Sequence, residues 1–190
     1  RLKAVFSDDE HAASIGVDCA IFIETLESHV RSKNDRPMLG EILEYQQERL
    51  DQGSVVRTAI LEELAQLYSH DDYSGEMTAF DAYIRLYENQ PALDTAERLR
   101  ALAQTGDSRS KVTQVIEELE DDIIEQERTQ VLLLLAAIYL KDLHDTDRAV
   151  ATYRSILDET PGEATALGAL TRLFEDMCEW GLYSDLLLEQ

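Results

Sequence analysis

LLLLAAIYLKDLHDTDRAVATYRSILDETP, residues 132–161, has a counterpart about seventy residues earlier in LEELAQLYSHDDYSGEMTAFDAYIRLYENQP, residues 61–91. Leu132, Leu135, Ala136 and Tyr139 answer Leu61, Leu64, Ala65 and Tyr68. Ala149, Tyr153, Ile156 and Pro161 answer Ala79, Tyr83, Leu86 and Pro91. A second series interleaves at about half that spacing: Leu39 with Leu43, Val112 with Ile116, and Tyr183 with Leu187. Periods of roughly 30 to 45 residues are the mark of stacked helical hairpins, so the expected architecture is an all-α solenoid of about five such hairpins.

Outward from these stretches, apolar residues recur with a 3.6 period between short polar turns. One helix is expected from Val17 to about Val30, with Ile23, Leu26 and Val30 inward. After the turn Ser32–Arg36, Pro37 suits the first turn of a second helix, which carries Leu39, Ile42, Leu43 and Leu50 and closes near Gly53. Ile60 to Tyr68 and Ala79 to Tyr87 form the next pair, ended by Asn89, Gln90 and Pro91. Ala96, Leu99 and Ala103 then face Val112, Val115, Ile116 and Leu119, with Ser108 or Ser110 as the expected N-cap. Glu127–Leu140 is the most apolar helix and is expected to be the most buried. Asp145 or Asp147 caps its partner, and Leu167, Leu170, Leu173 and Phe174 begin a last hairpin. Residues 1–16 read as the remnant of a preceding unit and residues 17–190 as the repeat array, truncated at its C-terminus.

Each hairpin buries one face and leaves an apolar stripe for the next to cover, which requires small residues at close approaches and large ones a turn away. Ala136 and Ala149 fit the first role, Tyr139 and Tyr153 the second. In this the two quoted stretches resemble the tetratricopeptide repeat. That signature runs a large residue, Leu, a small residue and Tyr, then Ala, an aromatic, an aliphatic and Pro. The resemblance covers most of residues 17–190 and implies a right-handed α-α superhelix. The interleaved units depart from the pattern, with Leu39, Val112 and Tyr183 where the small residue would stand. Together with Glu179–Tyr183, that alternation is similar to long bacterial arrays of divergent tetratricopeptide repeats.

The 190 residues carry a formal net charge of -22. Nucleic acid is disfavoured as a partner, because binding it relies on Lys and Arg displacing counterions from phosphate. Anionic membrane surfaces are disfavoured by the same sign. No apolar run is long enough to cross a bilayer, the longest being Val131–Ile138. Several helical layers separate Cys19 from Cys178, beyond disulfide reach, so both are expected as thiols. Unpaired cysteines favour a reducing, cytoplasmic compartment, while an exported one stays open because a targeting segment would precede the fragment.

Catalytic chemistry finds little to build on. Adjacent acids such as Asp8 with Asp9 and Asp121 with Asp122 diverge by about 100° on a helix and do not converge on one substrate. His70 with Asp71 and Asp72, and His144 with Asp145 and Asp147, lack both the glycine and terminal glutamate of a calcium loop and the paired histidines of a zinc helix. Their aspartates read as caps. No phosphate loop or nucleophile elbow is present, and Trp180 reads as packing between the last two helices. The expectation is therefore no catalytic residue, no cofactor and no metal.

In proteins with the tetratricopeptide fold the first helix of each hairpin lines the concave face. By that resemblance the partner-binding candidates here are Glu62, Gln66, His70, Glu97, Gln104, Lys141, Arg172 and Glu175, with Ala101, Leu133 and Ala137 between them. Relatives that clamp a C-terminal carboxylate use Lys, Arg and Asn there, whereas acids and glutamines prevail here. A protein or peptide with basic side chains is the expected partner. The functional expectation is a non-catalytic protein-protein interaction scaffold. The alternatives are a structural or regulatory arm of an enzyme whose catalytic domain lies outside the fragment, and an enzyme on an α/α toroid. Leu182, Leu186 and Leu187 at the end of the array offer a contact for a dimer.

Overall fold

Leu, Ala, Glu, Gln and Arg at helical spacing fold into nine α-helices among the described residues, which are 19–70 and 78–177 of a computed structural model. Expectations resting on Asp8, Asp9, Asp71, Asp72, Cys178, Trp180, Leu182, Tyr183, Leu186 and Leu187 lie outside them. The chain divides into two compact units, Arg1–Gln90 and Pro91–Gln190.

The first unit contains α1 (Cys19–Lys33), α2 (Arg36–Gln47), α3 (Val55–Tyr68) and α4 (Ala79–Asn89). Each packs on the helix next to it in sequence. Leu61, Leu64, Ala65 and Tyr68 of α3 are buried, as are Ala82, Tyr83, Leu86 and Tyr87 of α4. Ile42 and Leu43 of α2 complete the core. Arg31 of α1 bridges to Glu63 of α3 and to Glu27 on its own helix, and these bonds, Glu63's first, raise its pKa. Asp35 caps α2 by accepting from the Met38 N–H at 3.2 Å, and Pro37 falls in its first turn. Helix α2 stops at Gln47, short of the expected end. Leu50 keeps the apolar spacing and is half-buried, but it lies in the turn that leads to Gly53, whose φ of 76° is the left-handed conformation. Thr78 and Asp81 form a capping box at the start of α4.

The second unit contains α5 (Leu93–Leu102), α6 (Gly106–Glu118), a 3-10 turn (Glu120–Asp122), α7 (Glu125–Ala137), a π-helical segment (Ile138–Leu143), α8 (Thr146–Glu159) and α9 (Ala164–Asp176). Here α5 packs on both α6 and α7, α6 on the π segment, and α8 on both α7 and α9. Its core holds Leu99, Val112, Ile116, Leu132, Leu135, Ala136, Tyr139, Ala149, Tyr153, Ile156, Leu170 and Phe174. The N-cap of α6 is Thr105, with Ser108 three positions in as the reciprocal partner of a capping box, so neither serine is the cap itself. Asp145, not Asp147, caps α8, accepting from the Arg148 N–H at 3.1 Å. The most apolar helix does not bury most: Leu133 and Leu134 are half-exposed, whereas six of the eleven residues of α4 are buried. Four consecutive leucines wrap right round a helix, so some must face outward. The π segment closes through the Asp145 N–H to the Tyr139 carbonyl at 2.8 Å and ends at His144, left-handed at φ 57°.

Candidate functional site

All eight residues expected to bind a partner are exposed. In the first unit Glu62, Gln66 and His70 follow one another at four-residue steps along α3 and the turn continuing it, which sets them on one face. The exposed side chains of Glu62 and Gln66 make no hydrogen bond or ion pair among the described residues.

In the second unit Glu97 and Ala101 of α5 line a cleft of about 380 Å³ whose other walls include Arg100, Arg109, Leu134 and Asp142. Arg100 donates from Nε to Asp142 Oδ2 at 2.8 Å, a part-buried pair that ties α5 to the π segment. Arg109 of α6 donates to the Ala103 and Asp142 carbonyls, each at 3.3 Å. Lys141 immediately precedes Asp142 but points to solvent, Gln104 follows Ala103 in the turn, and Arg172 and Glu175 are on α9 away from the cleft lining. Leu134, one residue round the helix from Leu133, lines the cleft.

The cleft's charges balance, with Arg100 and Asp142 occupied by one another and Arg109 by carbonyls. Glu97 has no partner among the described residues, which leaves an exposed carboxylate at the rim of a part-apolar cleft. Such a rim suits a Lys or Arg side chain whose aliphatic stem lies on Ala101 and Leu134. Sequence reading missed Arg100, Arg109 and Asp142. Three separate elements bring them together, and polar residues carry no periodicity to announce it.

Two tyrosines mark the interior. Tyr68 donates to Glu44 Oε1 at 3.0 Å, from α3 back to α2. Tyr139 donates to Glu117, from the start of the π segment back to α6. Burial first, and the Glu117 bond second, raise the pKa of Tyr139, and burial raises that of Tyr153. Among the described residues no three His, Cys, Asp or Glu side chains gather as metal ligands, and no helix is long and apolar enough to cross a membrane.

No family model, curated protein or solved structure matches the chain.

Within the chain itself, however, the contacts match. Glu44 and Glu117 each follow the second residue of the interleaved series, Leu43 and Ile116, while Tyr68 and Tyr139 are equivalent in the quoted stretches. One hydrogen bond therefore occurs twice at corresponding positions.

Proposed function

We propose that the chain is a non-catalytic interaction module of tetratricopeptide-like hairpins, a right-handed superhelix that takes a basic protein segment along the exposed faces of its first helices. The observation that carries this reading is the recurrence of the Tyr68–Glu44 bond as Tyr139–Glu117. A tyrosine that reaches back to the preceding hairpin, at the same point of each long repeat, is what a nearest-neighbour stack of hairpins requires. Burial of Leu61, Leu64, Ala65 and Tyr68, matched by Leu132, Leu135, Ala136 and Tyr139, supports the same register.

The chemistry of the partner follows from what the exposed faces offer. Glu62 and Glu97 are carboxylates without partners among the described residues, in a chain of net charge -22. Each can attract a Lys or Arg side chain to its own helix face. A long positive segment gains from several weak contacts at once, which suits a scaffold better than a catalyst.

The test is a peptide array read with the labelled chain. Basic segments should be retained, and retention should fall in the Glu62→Lys and Glu97→Lys variants. An array that retains no basic peptide, or on which neither variant lowers the retention of basic peptides, refutes the reading.

A further inference from the structure

The internal repeat exposes a difference between two corresponding arginines. In the second unit Arg128 opens α7 and is surrounded by carboxylates: its Nη2 donates to Glu120 Oε1 at 2.8 Å, and Glu159 lies 3.4 Å from Nε. Exposed Asp121 adds a longer contact at 3.6 Å. In the first unit Arg57 holds the register of Arg128, each followed by a threonine and four residues ahead of the repeat leucine. The positions of Glu120 and Glu159 are taken there by Gln47 and Asn89. Two carboxylates have become two amides, and Arg57 makes no ion pair among the described residues.

Around Arg57 is a cleft of about 340 Å³ lined entirely by polar residues: Gln47, Gln52, Arg57, Arg85, Glu88 and Asn89. Most of these are engaged. Arg85 donates to Glu44 Oε2 at 2.7 Å, and Asn89 accepts from the Gly53 N–H while donating to Thr58 Oγ1. The exposed Glu88 carboxylate has no partner among the described residues. Arg57 Nε is buried without a hydrogen-bond partner, as is Arg128 Nε. Arg128, however, has Glu159 3.4 Å from that nitrogen, whereas Arg57 has no carboxylate within ion-pair distance among the described residues. Oε1 of Gln47, a side chain only 3% exposed, is also unpartnered. The orientation of that amide is set by chemistry, since its Nε2 donates to the Glu44 carboxylate at 3.2 Å and only the carbonyl end is left over. A buried donor and a buried acceptor in one cleft, both unpaired, are costly unless something fills them.

We infer that this cleft binds an acidic residue of an extended peptide, flanked by an apolar residue. The peptide carboxylate pairs with Arg57, as Glu120 and Glu159 pair with Arg128, and a backbone N–H of the peptide donates to Gln47 Oε1. A fully deprotonated oxyanion such as sulfate fits less well, because it offers no proton to Oε1, whereas a peptide supplies a carboxylate and an N–H together. The flanking residue is indicated by Val55 and Val56, 83% and 58% exposed, immediately before Arg57 in the first turn of α3. Gln52 reaches from the turn to the Glu88 carbonyl at 3.2 Å and forms part of the cleft wall. The site is separate from the surface proposed above: nine residues separate Arg57 from Gln66, about 180° around α3 at 100° per residue. It does not rest on that reading.

The test is a titration of the ¹⁵N-labelled 190-residue chain with the capped tripeptide Ac-Val-Glu-Val-NH2. The Gln47 side-chain amide and Arg57 Nε–H resonances should shift. The glutamine version of the peptide should bind about tenfold more weakly or worse, the cost of losing a charge-assisted hydrogen bond. Gln47→Glu recreates Glu120 beside Arg57 and should abolish binding, with far-ultraviolet circular dichroism showing that the variant is folded although it loses the bond to Glu44; Arg57→Gln should weaken it to a similar degree as the glutamine peptide. Ser110→Ala, an uncharged change in the second unit, should leave it unchanged. Equal binding of the two peptides, undiminished binding by Gln47→Glu, or displacement of the peptide by equimolar inorganic phosphate overturns the inference. So does a titration that moves neither resonance while both show exchange with one long-lived water, which would then be the whole content of the cleft.

Discussion

Replacing Tyr153 by alanine tests the repeat register most directly. The side chain is 5% exposed on α8, and its counterpart Tyr83 is 8% exposed on α4. A buried aromatic side chain removes roughly 150 Å² or more from water, about 4 kcal/mol at 25 cal/mol per Å². The retained Cβ reduces this to about 3 kcal/mol, at the lower end of measured aromatic-to-alanine losses. For a chain of this length that corresponds to a melting point lower by roughly 6 to 12 °C. Urea unfolding followed by far-ultraviolet circular dichroism gives the free energy for Tyr153→Ala and for Tyr83→Ala. The two should agree within about 1 kcal/mol, because both tyrosines hold the same repeat position and are buried to a similar extent. A loss below about 1 kcal/mol at either position refutes the argument, since the side chain would then not fill the space between hairpins.

Asp145→Ala should cost about 1 kcal/mol by removing the cap of α8, whereas Asp147→Ala should cost little; equal losses in urea unfolding would contradict the cap assignment. Alkali should destabilise the fold. Tyr139 and Tyr153 hold their protons more tightly folded than unfolded, so their contribution is full below the unfolded value of about 10 and is lost as pH rises through the folded value. The urea midpoint should fall between about pH 9 and pH 11, and a flat profile would exclude this linkage. Added sodium chloride should raise the melting temperature by screening the self-repulsion of a net charge of -22, and a decrease would contradict it.

The helices were legible because burial imposes a period. Leu61, Leu64, Ala65 and Tyr68, and again Leu132, Leu135, Ala136 and Tyr139, were placed on inward faces by spacing, and all eight are buried. Helix ends were harder. Thr105, Ser108 and Ser110 are all competent caps, and only the position of the first helical turn decides among them. Leu50 shows the opposite error, an apolar residue that keeps helical spacing within a turn. The π segment was invisible, because the widening of a helix by one residue is set by its neighbours and not by any residue type within it. The clefts were the least legible. Asp142 meets Arg100 across forty-two residues, and Gln47 gains meaning only beside Glu120 in the corresponding unit.

The tyrosine that donates to a glutamate of the preceding helix pair also limits how such a chain can change length. Tyr68 and Tyr139 are separated by 71 residues, and their acceptors by 73. Excising a single hairpin would leave either a phenol with no carboxylate or a carboxylate with no phenol. Excising residues 68–138 would instead hand Tyr139 to Glu44, a partner chemically identical to its own. Chains of this kind should therefore grow and shrink in pairs of hairpins, with odd numbers surviving only where a tyrosine and its glutamate are lost together.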